Sequence, residues 1–324
     1  MPPTTLDATA LEKLVSAAVA APSIHNTQPW HYRLDPDTAT LQVRAVAGRA
    51  LRHADPVGRA LHISVGAALF NLRVAAAHTG WEPVVRTLPS PAEPDLLATV
   101  LLARGVCVSR RHRPGLYDAL WRRHSSHFPF SGHPLPPGTT AELVEAARVE
   151  GASLWFPTVA ETTRLLRLTG QAERRNAETA ERRAEGRAWL REGASDGLPG
   201  SVVGRRDAGG RLPLRDFSGV GAACGPPVRF EPRPTVAVLA TAHDRRADWL
   251  RAGQALEHVL LAATARSVRT TLLHQALEWP DLRAALGEGA GRPRHVQLLI
   301  RLGYGPEGPA TPRRSAREVL ETGP

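Results

Sequence analysis

Apolar residues recur along this chain with two alternating periods, and the switches between them mark out helices and strands. From Ala8 to Ala20 small and aliphatic positions return every three or four residues, the spacing of a single helix face. The runs His31 to Leu34 and Leu41 to Val46 alternate instead, with the turn-like Asp35-Pro36-Asp37 between them, so two strands are expected. Leu61, Val65, Ala68, Leu69, Leu72 and Ala76 again share one helix face, and this helix is expected to run to Gly80, a residue suited to the position just past a helix end. Strands near Val84 to Leu88 and Ala98 to Ala103 follow. Farther on, the pattern predicts helices at Thr140 to Ala147 and Ala247 to Ala265 and a short one at Pro280 to Leu286. It predicts strands at Ser153 to Phe156, Val236 to Ala242 and His295 to Tyr304.

An internal repeat organises these elements. Residues 66 to 80, GAALFNLRVAAAHTG, lie over residues 253 to 267, GQALEHVLLAATARS, without a gap, so that Gly66, Ala68, Leu69, Ala75 and Ala76 meet Gly253, Ala255, Leu256, Ala262 and Ala263. Small residues on both faces allow two helix backbones to approach closely; shared Ala-rich composition is the alternative source of the match. The repeat divides the chain into a first half, 1–107, and a second half, 108–324. The stretch from about 158 to 234 has no counterpart in the first half. It opens with a charged helical run, Arg164 to Arg191, and continues Gly- and Pro-rich, which reads either as a solvated face or as a lid. Its place between repeated elements favours the lid.

Composition narrows the function classes. A net charge of +10 and a pI near 11 suit a nucleic-acid partner, but only Lys13 among the 41 basic residues is a lysine. The arginines are dispersed and often sit beside acids, so no nucleic-acid partner is expected. Cys107 and Cys224 show no zinc or disulfide spacing, and both are expected as small fillers. His124, His127 and His133 lack helical spacing and acidic partners, so no metal is expected. Asp7, Glu12 and Lys13 precede the apolar stretch Leu14 to Ala21, unlike a signal peptide, and no uninterrupted apolar run reaches about 18 residues. Neither a membrane span nor export is expected, and cytoplasm is the default location.

The chemistry-bearing runs are few. In Ala21-Pro22-Ser23-Ile24-His25-Asn26-Thr27-Gln28-Pro29-Trp30 the two prolines stiffen the backbone, while Ser23, Asn26, Thr27 and Gln28 offer hydroxyl and amide groups in nearly fixed positions. On local chemistry this is either a ligand-holding turn or a polar turn anchored by Trp30. Arg122-Arg123-His124-Ser125-Ser126-His127 and Thr311-Pro312-Arg313-Arg314-Ser315 supply guanidinium groups suited to phosphate or carbonyl contacts.

Together these runs resemble the nitroreductase superfamily. Its early motif matches Ala-Pro-Ser, two residues, Asn, a spacer and Gln-Pro-Trp; its Arg-x-Ser opening matches Arg123 and Ser125; its basic C-terminal segment matches Arg313-Arg314. The more particular resemblance is to the Acg-like branch, carried by APSIHNTQPW, Asp55-Pro56-Val57-Gly58-Arg59, the Asp-Gly-x-Pro and Arg-Asp-Phe marks at Asp196 and Arg215, Trp249 to Gly253 and the TPRR ending. The resemblance implies an α+β fold of two fused halves that mimic the family homodimer, with an inserted lid and one FMN site per chain. Ser23, Asn26 and Gln28 would approach FMN from one half and Arg122, Arg123, Ser125 and His127 from the other. His127 stands where the family has a permanent cation. Arg313 and Arg314 would return to the phosphate, and Leu273 and His274 would lie in a loop under the flavin, with a backbone N–H near His274 on the reactive nitrogen. The chain would be a monomer, an internal pseudo-dimer, passing hydride from NAD(P)H through FMN to a small aromatic or a quinone- or nitro-type acceptor. The alternative is an FMN-sequestering protein with little turnover, in which Trp189, Leu198, Pro199 and Phe217 of the insert cover the flavin.

Overall fold

The computed structural model describes residues 6–104, 115–217, 226–288 and 294–321. Cys107, Cys224 and the boundary between residues 107 and 108 lie outside them. The chain begins with α1 (Ala8–Val19), whose first turn is capped by the Asp7 carboxylate accepting from Ala10 N–H at 2.7 Å. It continues through β1 (Trp30–Asp35) and β2 (Thr40–Ala45), α2 (Arg59–His78), β3 (Trp81–Thr87) and β4 (Leu96–Arg104). Then come α3 (Leu116–Arg122), α4 (Pro137–Val149), β5 (Ser153–Trp155), α5 (Val159–Glu178) and α6 (Ala180–Ala188). The last part holds β6 (Thr235–Thr241), α7 (Arg246–Ala265), β7 (Arg269–Leu273), α8 (Pro280–Gly287), β8 (His295–Gly303), α9 (Ala316–Val319) and β9 (Leu320–Glu321).

These strands form two sheets, ordered β3-β4-β2-β1-β9 and β5-β6-β8-β7. In the first, alternation is real: Trp30, Tyr32, Leu41 and Val43 are buried while their neighbours are not. β6 and β8 are buried along nearly their whole length, as strands covered on both faces are. β9 pairs parallel with β1, Tyr32 opposite Leu320, so the C-terminal tail crosses to the first sheet.

The two repeated helices, α2 and α7, pack against each other at the centre. A Cβ added to Gly66 would lie 2.2 Å from the Leu250 carbonyl, and one added to Gly253 would lie 2.0 Å from the Ile63 carbonyl. Gly66 and Gly253 are repeat partners and so are Ile63 and Leu250; the crossing is therefore self-complementary, as two-fold contacts are. Phe70 stacks on His258 at 4.8 Å in the next turn. By length and composition α2 could cross a membrane, but 83% of that stretch is buried inside this fold. Gly80, at φ +88°, takes the left-handed position past its end.

Two expectations change. The segment around Thr270 is not a loop: Arg269–Leu273 is a strand on β8, with Leu272 opposite Ile300. The charged run is two helices, and α5 keeps an apolar face, with Leu165, Leu166, Leu168 and Ala172 in the core beneath it.

Candidate functional site

The turn after α1 is bent by three left-handed residues that are not glycine, His25, Asn26 and Gln28, with φ between 47° and 54°. Such a backbone is costly unless its surroundings hold it. The Ser23 hydroxyl accepts from Gln28 N–H at 2.9 Å, and long-range bonds supply the rest. Asn26 donates to the carbonyls of Gly197 at 2.8 Å and Pro312 at 3.0 Å, and its own oxygen accepts from Arg313 at 3.0 Å. Gln28 donates to the Ser195 carbonyl at 2.9 Å and accepts from Arg314 N–H at 2.8 Å. Asp196, between these insert residues, bonds Arg49 and Arg191 at 2.7 Å each. The turn thus fastens the insert and the tail over one cavity.

Ser23, Asn26, Arg123, Ser125, His127, Leu273, His274 and Arg313 line that cavity. Gln28, Arg122 and Arg314 do not. Gln28 is fully buried as a bracket, the Arg122 side chain is exposed at the end of α3, and Arg314 reaches the Glu318 carbonyl. From the insert come Leu198, Val202, Leu214, Arg215 and Phe217. Pro199 is not in the wall, and Trp189 packs elsewhere, with Leu51, Ala54 and Ile24.

Electrostatically the cavity has two ends. At one, Arg123 donates to the Ala20 carbonyl at 3.2 Å but sits only loosely, at 3.5 Å, against the fully buried Glu257. Burial pushes the Glu257 carboxyl up to about 7 against the pull of Arg123, and neither oxygen closes a hydrogen bond of good geometry. Burial, with Arg123 nearby, pushes the Arg313 guanidinium down to about 9. The Nε atoms of both arginines lack partners. Two guanidiniums with one incompletely ionised carboxyl leave positive charge facing the cavity.

At the other end the charges are spent. Glu278 receives Arg215 through both its oxygens, Arg182 at 3.1 Å and His274 Nδ1 at 2.8 Å. Burial favours the neutral carboxyl there, but Arg215 and His274 outweigh it and hold Glu278 well below the usual carboxylate range. His25, 5.7 Å from His274 between ring centroids and edge-on to Phe217 at 4.9 Å, is 4% exposed with neither ring nitrogen bonded. Burial, then the charge of Arg215, keeps it neutral. His127 is likewise pushed down, to about 4, by burial and Arg301.

His25, His274 and Glu278 form a group with metal-type ligands whose atoms lie within 4.8 Å of one another. The Arg215 guanidinium bonds Glu278 and lies 3.2 Å from His274 Nδ1, so a cation already holds that position.

Of the titratable side chains in the wall, sequence reasoning missed three: His25, Arg59 and Arg215. Arg59 donates to the Gln297 carbonyl at 2.8 Å, and burial beside Arg283 lowers it to about 10. Its place in the Asp-Pro-Val-Gly-Arg run was the available signal.

No family model matches the chain. Two Mycobacterium tuberculosis proteins, each named "Putative NAD(P)H nitroreductase", are similar along nearly their whole length. Rv3131 is 32% identical over 97% of this chain and 92% of its own, and Acg is 31% identical over 99% and 98%. Among solved structures, a nitroreductase with bound FMN from Desulfitobacterium hafniense aligns over 62% of this chain and 95% of its own, at 11% identity and a TM-score of 0.40. On the sequence identity to Rv3131 and Acg, sustained across both halves and the insert, the chain belongs to the nitroreductase superfamily, in its Acg-like branch.

Proposed function

We propose that the chain is an FMN-dependent NAD(P)H oxidoreductase that binds one FMN per chain, with the phosphate at Arg123 and Arg313 and an uncharged quinone or nitro acceptor at the His25 end. The observation that carries this reading is the uncompensated cationic end of a cavity built from both halves. A phosphate there would complete the hydrogen bonding of two guanidiniums that face each other without an adequate counter-ion. Relatives named as NAD(P)H nitroreductases and FMN-bound structures in the same superfamily support the cofactor and the reductant. Bound FMN supplies the two-electron chemistry, accepting a hydride from NAD(P)H and handing it to the acceptor.

The chain's own residues then have separable tasks. Asn26 and Gln28 fix the tail that carries Arg313 and the insert segment from Ser195 to Gly197. Leu198, Val202, Leu214 and Phe217 form the apolar cover that excludes water. His25, neutral and unpartnered, offers one N–H donor to an acceptor oxygen without adding charge. His274, tied to Glu278, belongs to the fixed framework of that end.

Titrating the purified chain with FMN, at dilute concentration in a light-scattering cell, tests the reading. One tightly bound FMN per monomeric chain is expected; two per chain, or flavin lost on dissociation to single chains, would refute it. The apolar cover also favours a second reading, FMN held with little turnover. Fast NADPH oxidation by the intact chain would remove that one.

A further inference from the structure

Helix α5 borders a second cavity that shares no lining residue with the first. Its buried apolar lining is Leu166 and Val236, with Phe156 half-buried and Val159 exposed at its edge. Pro157, Pro213, Pro232 and Pro234 stand around it, and their fixed φ angles make the shape largely preformed, which lowers the ordering cost of binding. Four guanidiniums, Arg167, Arg174, Arg211 and Arg233, ring the mouth, and no acidic residue lines the cavity among the described residues.

The arginines are not simply the helix's surface charge. On the same helix, Arg164 bonds the carbonyls of Ala285 at 2.6 Å and Glu288 at 2.8 Å, and Arg175 pairs with Asp281 at 2.8 Å. Arg167 and Arg174 are exposed and have no side-chain partner among the described residues. Thr162 repeats the contrast. The neighbouring hydroxyls of Thr163 and Thr169 bond back to the carbonyls of Val159 and Leu165 at 2.9 Å, as helical threonines do. Thr162 lines the cavity, is 9% exposed, and makes no side-chain hydrogen bond among the described residues.

We propose that this cavity binds an anionic amphiphile, a phosphate monoester with an apolar body. The arginines and Thr162 recognise its head, and Phe156, Val159, Leu166 and the prolines take its body. A free inorganic anion would leave the apolar lining unused, and a neutral hydrocarbon would leave four guanidiniums unpaired. The apolar body comes either from an alkyl chain or from an aromatic ring, and the two share this chemistry. The inference does not rest on the cofactor reading.

Calorimetric titration of the purified full-length chain with octyl phosphate, 1-naphthyl phosphate, octanol and inorganic phosphate tests it. At least one monoester is expected to bind about tenfold or more tightly than octanol and than inorganic phosphate, with affinity falling as salt rises. Tighter binding of the octyl or the naphthyl compound assigns the alkyl or the aromatic source. The double variant Arg167→Glu/Arg174→Glu, altered only at exposed positions, should weaken the monoester by about tenfold or more. Thr162→Val should weaken it a few-fold without lowering the unfolding midpoint, since the hydroxyl has no partner to lose. Monoesters that bind no better than octanol or inorganic phosphate overturn the proposal, as does a double variant that binds them as well as the parent.

Discussion

Glu278 and Glu257 are both buried carboxyls lying behind the wall of one cavity against an arginine, and burial resolves oppositely at them. At Glu278 the insert's Arg215 and the Arg182 of α6 converge on one carboxylate, and His274 completes its hydrogen bonding. The group is ionised, saturated and rigid. At Glu257 the nearest guanidinium, that of Arg123, lies at 3.5 Å, the carboxyl rises to about 7, and a second arginine crowds in from the tail. A complete network stabilises the chain by itself; an incomplete one stabilises it only when something else arrives. The comparison therefore separates a clamp from a binding site within one cavity, although both are made of Arg and Glu.

The largest expected effect breaks the clamp. Glu278→Gln leaves Arg215 and Arg182 buried without their counter-charge, and removing one partner from a buried ion pair costs about 3–5 kcal/mol. Denaturant unfolding should show that loss. A change under about 1 kcal/mol would mean that the two ends are not energetically distinct.

Next comes the binding end. Arg123→Ala and Arg313→Ala should each weaken FMN by about 10- to 150-fold, the equivalent of the roughly 1.5–3 kcal/mol of a charge-assisted contact. Arg123→Ala should unfold close to the parent's midpoint in the absence of flavin, because its native pairing is incomplete, whereas Arg313→Ala also loses the bond to the Asn26 oxygen and should unfold earlier. An Arg123→Ala chain that keeps full FMN affinity would remove that arginine from the phosphate site.

A smaller effect sharpens the comparison through pH. The folded-state pKa of Glu257, about 7, lies above the ordinary glutamate value of 4.5, so the folded chain holds a proton that the unfolded chain gives up. The stability this provides is complete below about 4.5 and is lost as pH rises through about 7. Glu278, held low, contributes in the opposite sense: its stabilisation is present above 4.5 and fades only in strong acid. Glu257→Gln should therefore melt at nearly the parent's temperature at pH 5 and above it at pH 8, by several degrees, in flavin-free protein. Parallel melting profiles from pH 5 to 8 would show that Glu257 ionises normally.

Local pattern carried much of this architecture into the sequence and little of its wiring. The repeat put Gly66 on Gly253, and those two glycines are where the central helices touch, because a close helix crossing leaves a small-residue signature in each helix separately. Ser23, Asn26, Arg123, Ser125, His127, Leu273, His274 and Arg313 do line one cavity. Gln28 and Arg314 were legible as polar and basic but not as partners, since the Gln28 oxygen accepts from the backbone N–H of Arg314, 286 residues away. No local pattern records such a contact. β7 was missed for a related reason: Arg269–Leu273 is short, and only its pairing with β8 makes it a strand. His25 was hidden inside a run read through its amides and hydroxyls, and its unbonded nitrogens and left-handed backbone exist only in the folded chain.

That residue gives the smallest and most specific test of the contrast. If the His25 end is neutral, as the Arg215–Glu278 pairing makes it, a quinone oxygen is recognised there by a single uncharged hydrogen bond, whose net value is about 0.5–1.5 kcal/mol. His25→Leu should then weaken menadione binding to the FMN-loaded chain by about 2- to 12-fold, read from the shift of flavin absorbance. His25→Asn should keep most of the affinity, because Asn accepts the left-handed backbone and retains an N–H donor. Equal losses in both variants would assign the effect to the imidazole ring and its edge-on contact with Phe217, not to the N–H donor. Retained affinity in both would place the acceptor elsewhere in the cavity. FMN affinity itself should stay within about twofold in either variant, since Arg123 and Arg313 at the other end are unchanged.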